Sequence, residues 1–404
     1  MKKELLEEKL HSINEVLKKE YVNEKEIGIL AGLSGISLFH FYYSKYFNKS
    51  ENQDIGIKIL EQCGDKINEG SFRPTYCSGL GGFGWVLEHL LSEGFIDADS
   101  NLPLELDEYL YKMMVLDMER GNYDFLHGGL GYAFYFLKKF KNTTSIALKE
   151  KYKSMLSDFI SLLKKIAIKV GDNEFKWESI VNKTEDKRAK VYNLGLSHGM
   201  SSIVGILTKL YEIDDFKDSA EEMLKGAINY IDKYKVLDKE NTFLFPNWVD
   251  IEIESRGGGR LAWCYGDLGI GIRMWYASKV LNDFELKNKA LVILRHSAKI
   301  TKPNKTLVRD AGICHGSFGN ALIFQRMYEE TNENIFKSAT DFWINDGLEK
   351  ASFKDGHAGF KQVKIGEETY KSISMLEGIA GIGLVIINYI TDNNDDWDEC
   401  LLIS

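Results

Sequence analysis

The chain has 404 residues, only four of them proline and 36 glycine, and a formal net charge of −9. So few prolines leave long helices uninterrupted, which predicts a mostly helical protein. An acidic balance with lysines spread along the chain argues against a nucleic-acid binder, which usually shows a basic face, and five cysteines in no small-domain spacing argue against a disulfide framework.

The first segment, MKKELLEEKL, is charged and amphipathic, unlike a signal sequence. Leu5, Leu6, Leu10, Ile13 and Leu17 lie on one helical stripe. A glycine motif follows, AGLSGISLFHF from Ala31, then SGLGGFGWVLEHL from Ser78 and HGGLGYAFYFL from His127. Met155, Leu156, Phe159, Leu162 and Leu163 form a second stripe. Residues from about 170 to 195 lose helical periodicity and read as a long loop or small β insertion. The fourth motif, HGMSSIVGIL from His198, has Ser202 in place of the second glycine. A second break covers 241–260, and then come YGDLGIGIRMW from Tyr265, HGSFGNALIF from His315 and EGIAGIGLVII from Glu377. The longest apolar run, 379–390, is too short to span a bilayer. The expectation is a cytoplasmic, reducing location.

The first glycines stand 47 to 71 residues apart, a spacing that means repeats. Each unit reads as an outer amphipathic helix, a glycine turn and an inner helix that is apolar nearly all round. An open solenoid needs polar capping units. The last motif is as apolar as the middle ones, which favours closure. The expected fold is therefore all-α, a single α/α toroid over 1–404, with seven helical hairpins in inner and outer rings and the two insertions noted above.

Repeat register makes chemistry visible. The residues just before each first glycine are Ala31, Ser78, His127, His198, Tyr265, His315 and Glu377. Four are His or Tyr, which suggests that the turns line one polar cavity. One step earlier stand Cys77, Cys264 and Cys314, three of the five cysteines. Cys264 lies in the fifth unit and Cys314 and His315 in the sixth. Neighbouring units are neighbours in space, so these side chains can converge, and two thiolates with an imidazole make a good zinc set with a fourth position open. The rival reading treats these cysteines as small core residues, and that reading is preferred for Cys63 and Cys400. Cys77 sits in the second unit, away from the fifth and sixth. Phe83, Trp85, Trp263 and Phe318 beside the turns read as cavity wall or as core.

RLAWCYGDLGIG together with ICHGSFGNA resembles the zinc motifs of the lanthionine synthetase C-like (LanC) family. LSHGMSSIVGIL and YDFLHGGLGYAFYFL resemble two further motifs of that family, and the resemblance runs from the first glycine motif to the last. It implies an α/α toroid with Zn2+ at one end of its cavity, held by Cys264, Cys314 and His315. It also implies that His198, Tyr265, Asp124 and Arg260 serve catalysis or shape the site. His127 stands where an acidic residue is more familiar, and Ser202 is a second departure.

A zinc site with two thiolates and a neutral imidazole carries no net charge, and so favours thiol activation over hydrolysis. The resemblance implies a Michael-type cyclase. A cysteine thiolate of a dehydrated precursor peptide, leader plus core, adds to dehydroalanine or dehydrobutyrine to give lanthionine or methyllanthionine. His198 is then the general acid, oriented by Asp124, with Tyr265 on the enolate or the metal-bound species and Arg260 on the loop or the enolate oxygen. Each has a plainer alternative: backbone-satisfied histidine, packing tyrosine, N-cap aspartate, arginine paired with an acidic neighbour. Glu377 reads as structural or cavity-lining before catalytic. Implied partners are a lanthipeptide dehydratase and, transiently, a membrane transporter complex. Alternative functions are glutathione addition to dehydrated residues and a zinc-stabilised peptide-binding scaffold without turnover.

Overall fold

The computed structural model describes residues 3–97, 104–182, 188–236, 242–251, 258–364, 368–391 and 395–404. Its helices, in chain order, are α1 (Lys3–Glu20), α2 (Leu33–Phe47), α3 (Ser50–Asn68), α4 (Leu80–Ser92) and α5 (Leu104–Glu119). They continue with α6 (Gly129–Asn142), α7 (Ile146–Ile166), α8 (Met200–Tyr211), α9 (Lys217–Asp232) and α10 (Asp267–Val280). The last are α11 (Phe284–Ala298), the short α12 (Pro303–Thr306), α13 (Ser317–Thr331), α14 (Asn334–Glu349) and α15 (Ile379–Thr391). No described helix is long and apolar enough to cross a membrane.

All seven glycine motifs start helices. Gly32, Gly79, Gly128, Gly199, Gly266 and Gly316 are the N-caps of α2, α4, α6, α8, α10 and α13, and Gly378 directly precedes α15. These inner helices are buried on every side; α15 is buried without a break from Ile379 to Asn388. The helices between them bury a single stripe. In α1 it is Leu6, Leu10, Ile13, Asn14 and Leu17, while Leu5, expected on that stripe, is 51% exposed.

The second glycine of the motif is required by a close approach. A Cβ built on Gly319 would lie 1.8 Å from the Ile313 carbonyl oxygen, and one on Gly381 would lie 1.8 Å from that of Met375. The same contact, six residues back, recurs at Gly35, Gly82 and Gly269. The loop thus folds onto the first helical turn, and only a residue without Cβ lets the backbones meet.

The links from an inner helix to the next outer helix are two to five residues long in α2–α3, α6–α7, α8–α9, α10–α11 and α13–α14. These are the pairs that pack as hairpins. Sequence order suggested hairpins of an outer helix with the inner helix after its glycine turn. The turns are instead the long connections between hairpins.

By contacts the chain divides into two compact units, Met1–Leu110 with Val308–Trp397, and Tyr111–Leu307 with Asp398–Ser404. In the first, α2 packs on α4 and α15, α13 packs on α15, and α1 packs on α15, so the first and last helices meet. The Leu376 amide bonds to the Leu30 carbonyl at 2.9 Å, and the amides of Leu30 and Ala31 share the Cys77 carbonyl. In the second, α8 packs on α6, α9 and α10. Its C-terminal tail is pinned there. The Trp263 indole donates to the Leu401 carbonyl at 2.8 Å, Arg273 donates to that of Ile403, and Lys138 and Lys209 pair with Glu399.

The described residues of the 170–195 insertion carry short strands. β1 (Ile168–Val170) pairs with β2 (Glu174–Lys176), and β3 (Ser179–Asn182) with β4 (Arg188–Asn193). β5 (Trp248–Asp250), from the second insertion, adds to β4. Residues 183–187, 241 and 252–257 of these insertions lie outside the described residues. A further hairpin, β6 (Gln362–Val363) with β7 (Thr369–Tyr370), was not legible in the sequence.

Candidate metal centre and proton-handling pair

The third and fourth turns form one cluster. Asp124 precedes α6 and uses its two oxygens differently. Oδ1 accepts the amides of Leu126 and His127 at 2.8 and 2.9 Å. In the first turn the amides at the same register bond to a neighbouring carbonyl, so Asp124 replaces that carbonyl with its own side chain. Oδ2 accepts from Nδ1 of His198 at 2.6 Å. Aspartate therefore caps its turn and orients the histidine at once. The His127 ring stacks on His198 with centroids 6.1 Å apart.

Electrostatics follow the geometry. Burial disfavours charge on His198, but the charge and hydrogen bond of Asp124, then the charge of Cys264, outweigh it and hold the imidazole above its ordinary pKa. Burial likewise opposes ionisation of Asp124, yet His198, His127 and a backbone amide keep it below the usual carboxylate range. An ionised Asp124 fixes a proton of His198 on Nδ1 and leaves Nε2 as the ring nitrogen not held by this carboxylate.

Tyr265 lies beside this pair, its ring centroid 6.3 Å from that of His198. Its hydroxyl accepts from Nδ2 of Asn193 at 3.3 Å, and Trp248 packs edge-on against it. Asn193 in turn takes the Gly195 amide on Oδ1. The turn after Tyr265 demands glycine, because Gly266 has φ of +84°. Arg260 is half-buried, with its carbonyl 2.0 Å from where a Gly266 Cβ would be. Among the described residues its side chain makes no hydrogen bond or ion pair with Asp124, His198 or Tyr265.

Cys264 precedes α10, and its carbonyl takes the amides of Leu196 and Ser197. Cys314 precedes α13, and its amide bonds to the Leu376 carbonyl. Cys264, Cys314 and His315 each offer a ligand atom, and these atoms all lie within 4.8 Å of one another. Neither cysteine is in a disulfide. Four-coordinate zinc with Zn–S of about 2.3 Å sets its sulfurs about 3.8 Å apart, so the donor set and its spacing fit the metal. Cys77 is buried and forms no disulfide, and Cys63 and Cys400 are fully buried core residues whose thiols burial pushes up.

Sequence reasoning missed Asp310. Its Oδ2 lies 3.2 Å from Nε2 of His315. The same carboxylate accepts the amides of Gly312 and Val363. Burial raises its pKa, but His315 and these amides lower it further. Asp310 and Asn193 stand six residues before their first glycines, so the repeat register carried a signal for both. Asp267 was also missed. It is buried and raised to about 6, and it accepts the Leu244 and Phe245 amides.

Glu377 accepts from the Tyr370 hydroxyl at 2.6 Å, consistent with a structural residue. Phe83, Trp85, Trp263 and Phe318 are buried core; Trp85 stacks on His89, and Phe318 meets Phe360 edge-on.

Comparison with known proteins places this architecture. The family model for lanthionine synthetase C-like protein matches residues 24–402. Nisin biosynthesis protein NisC of Lactococcus lactis subsp. lactis is 24% identical over 413 residues, covering 95% of this chain and 91% of that protein. A solved structure of nisin cyclase matches with a TM-score of 0.73 at 20% identity, covering 99% of this chain and 97% of that one. This likeness shows the fold, an α/α toroid with small sheets. The chain belongs to the lanthionine synthetase C-like family.

Proposed function

We propose that this protein is a zinc-dependent lanthipeptide cyclase acting on a dehydrated precursor peptide in the cytoplasm. The observation that carries the reading is the convergence of Cys264, Cys314 and His315, with ligand atoms within 4.8 Å, in a chain of this family. The matching relatives are named for nisin biosynthesis and as a cyclase, which supports a ring-forming reaction on a peptide.

Bound zinc would supply acidification of a substrate thiol, of which only a few per cent is otherwise ionised at pH 7. The substrate sulfur forms a bond to the β-carbon of a dehydrated residue, and the alkene electrons move onto the amide as an enolate. His198, held at Nδ1 by Asp124, delivers a proton from Nε2 to the α-carbon. The thiol's proton replaces it, so the addition consumes and releases nothing else. Tyr265 stands beside His198 with its hydroxyl steadied by Asn193, suited to donate to the enolate oxygen. Arg260 braces the turn that carries Cys264 and Tyr265. A dehydratase must act upstream, because the substrate alkene comes from serine or threonine. Transient association with a transporter complex completes the proposal.

The test pairs metal analysis with mass-resolved ring formation. The purified chain should hold about one zinc and convert a dehydrated, cysteine-containing precursor into a product of unchanged mass that resists thiol alkylation. No zinc, or alkylatable thiols throughout, overturns the assignment.

A further inference from the structure

Each half of the Asp310–His315 contact makes sense through the other. Asp310 is 3% exposed and bound on three sides, by the Gly312 amide on Oδ1 and by the Val363 amide and His315 Nε2 on Oδ2. An ionised carboxylate has only acceptor sites, so the imidazole nitrogen facing it must carry the proton. A neutral ring protonated at Nε2 has its lone pair on Nδ1. A carboxylate behind a histidine in this way fixes both ring orientation and tautomer. The Val363 amide belongs to β6, so the small β6–β7 hairpin holds the carboxylate from behind.

We propose that Asp310 is the positioning residue of the metal centre, holding His315 as the Nε2–H tautomer so that Nδ1 serves as the zinc ligand. This rests on the zinc reading above for its function, but the tautomer itself is a property of the metal-free chain. Asp310 is not one of the three residues whose ligand atoms converge, and it acts on the metal centre through His315.

Two measurements test it. In the metal-free chain with 15N-labelled histidine, ring shifts assigned to His315 by its loss in His315→Ala should show the proton on Nε2, and Asp310→Ala should give a tautomer mixture. A proton on Nδ1 in the unaltered chain overturns the proposal whether or not the chain binds zinc. In competition with a chromophoric chelator, Asp310→Ala should weaken zinc binding about 10- to 100-fold, with circular dichroism unchanged. Adding Asp310→Ala to His315→Ala should weaken it no further. Unchanged affinity in the single variant, or an additive loss in the double, overturns action through His315. Failure of the unaltered chain to bind zinc, with the tautomer as expected, sinks the cyclase reading and leaves the orientation of His315 standing.

Discussion

The fourth and sixth turns put a histidine in the same place, one residue before the first glycine, and hold it by opposite ring nitrogens. His198 is bound at Nδ1 by a carboxylate from the preceding turn, and His315 at Nε2 by a carboxylate from its own loop. One register position therefore presents two different ring nitrogens, and where the partnering aspartate enters decides which is held. The turns differ in backbone too. Gly319 meets the Ile313 carbonyl, whereas Ser202 keeps its side chain and donates to the Gly199 carbonyl at 2.6 Å.

The largest expected effects separate the two histidines. Cys264→Ala or His315→Ala should remove bound zinc and ring formation together while helicity persists, as read by metal analysis and circular dichroism. Loss of the fold would favour the scaffold reading. His198→Gln should keep the zinc and lower kcat about 10²- to 10⁴-fold. If zinc is lost there as well, the division of labour between the two turns is wrong.

Stability should divide the same turns. Gly319→Ala forces a Cβ into a carbonyl and should cost about 3 kcal/mol or more in denaturant unfolding. Ser202→Gly loses one side-chain hydrogen bond and should cost about 1 kcal/mol. Equal costs would mean that the fourth turn is built like the sixth.

The smallest effect is on pH. His198 is opposed by burial and raised by Asp124, so its protonated form persists above the ordinary value of about 6.5. As the proposed general acid it should lose activity as pH rises through that raised value. Asp124→Asn removes the charge, and the alkaline limb of kcat should move to lower pH. The sign is the same for stability: the pairing contributes fully below about 6.5 and is lost as pH climbs through the folded-state value. A limb unmoved by Asp124→Asn would assign it to another group.

Much of the candidate site was legible because the chain repeats. Glycines placed every inner helix, and the two positions before them named Cys264, Cys314, His315, His198 and Tyr265. Asp310 escaped because its side chain works through a ring five residues away and a strand beyond it, contacts that no periodicity encodes. Asp124 invited two readings, cap or orienting group. Only coordinates could show that its two oxygens do one each.

The order of amino acids by itself determined which helices are inner and which outer, since apolar residues all round can be satisfied only by burial and a single stripe only at a surface. It also set where backbones must touch, since glycine alone lacks the Cβ that would forbid it. Tertiary structure decided which helix each inner helix pairs with, that α1 and α15 meet, and which nitrogen of each histidine is held. Those outcomes depend on distances between residues far apart in the chain, and hydrogen bonds and packing act over a few ångströms of space whatever the sequence separation.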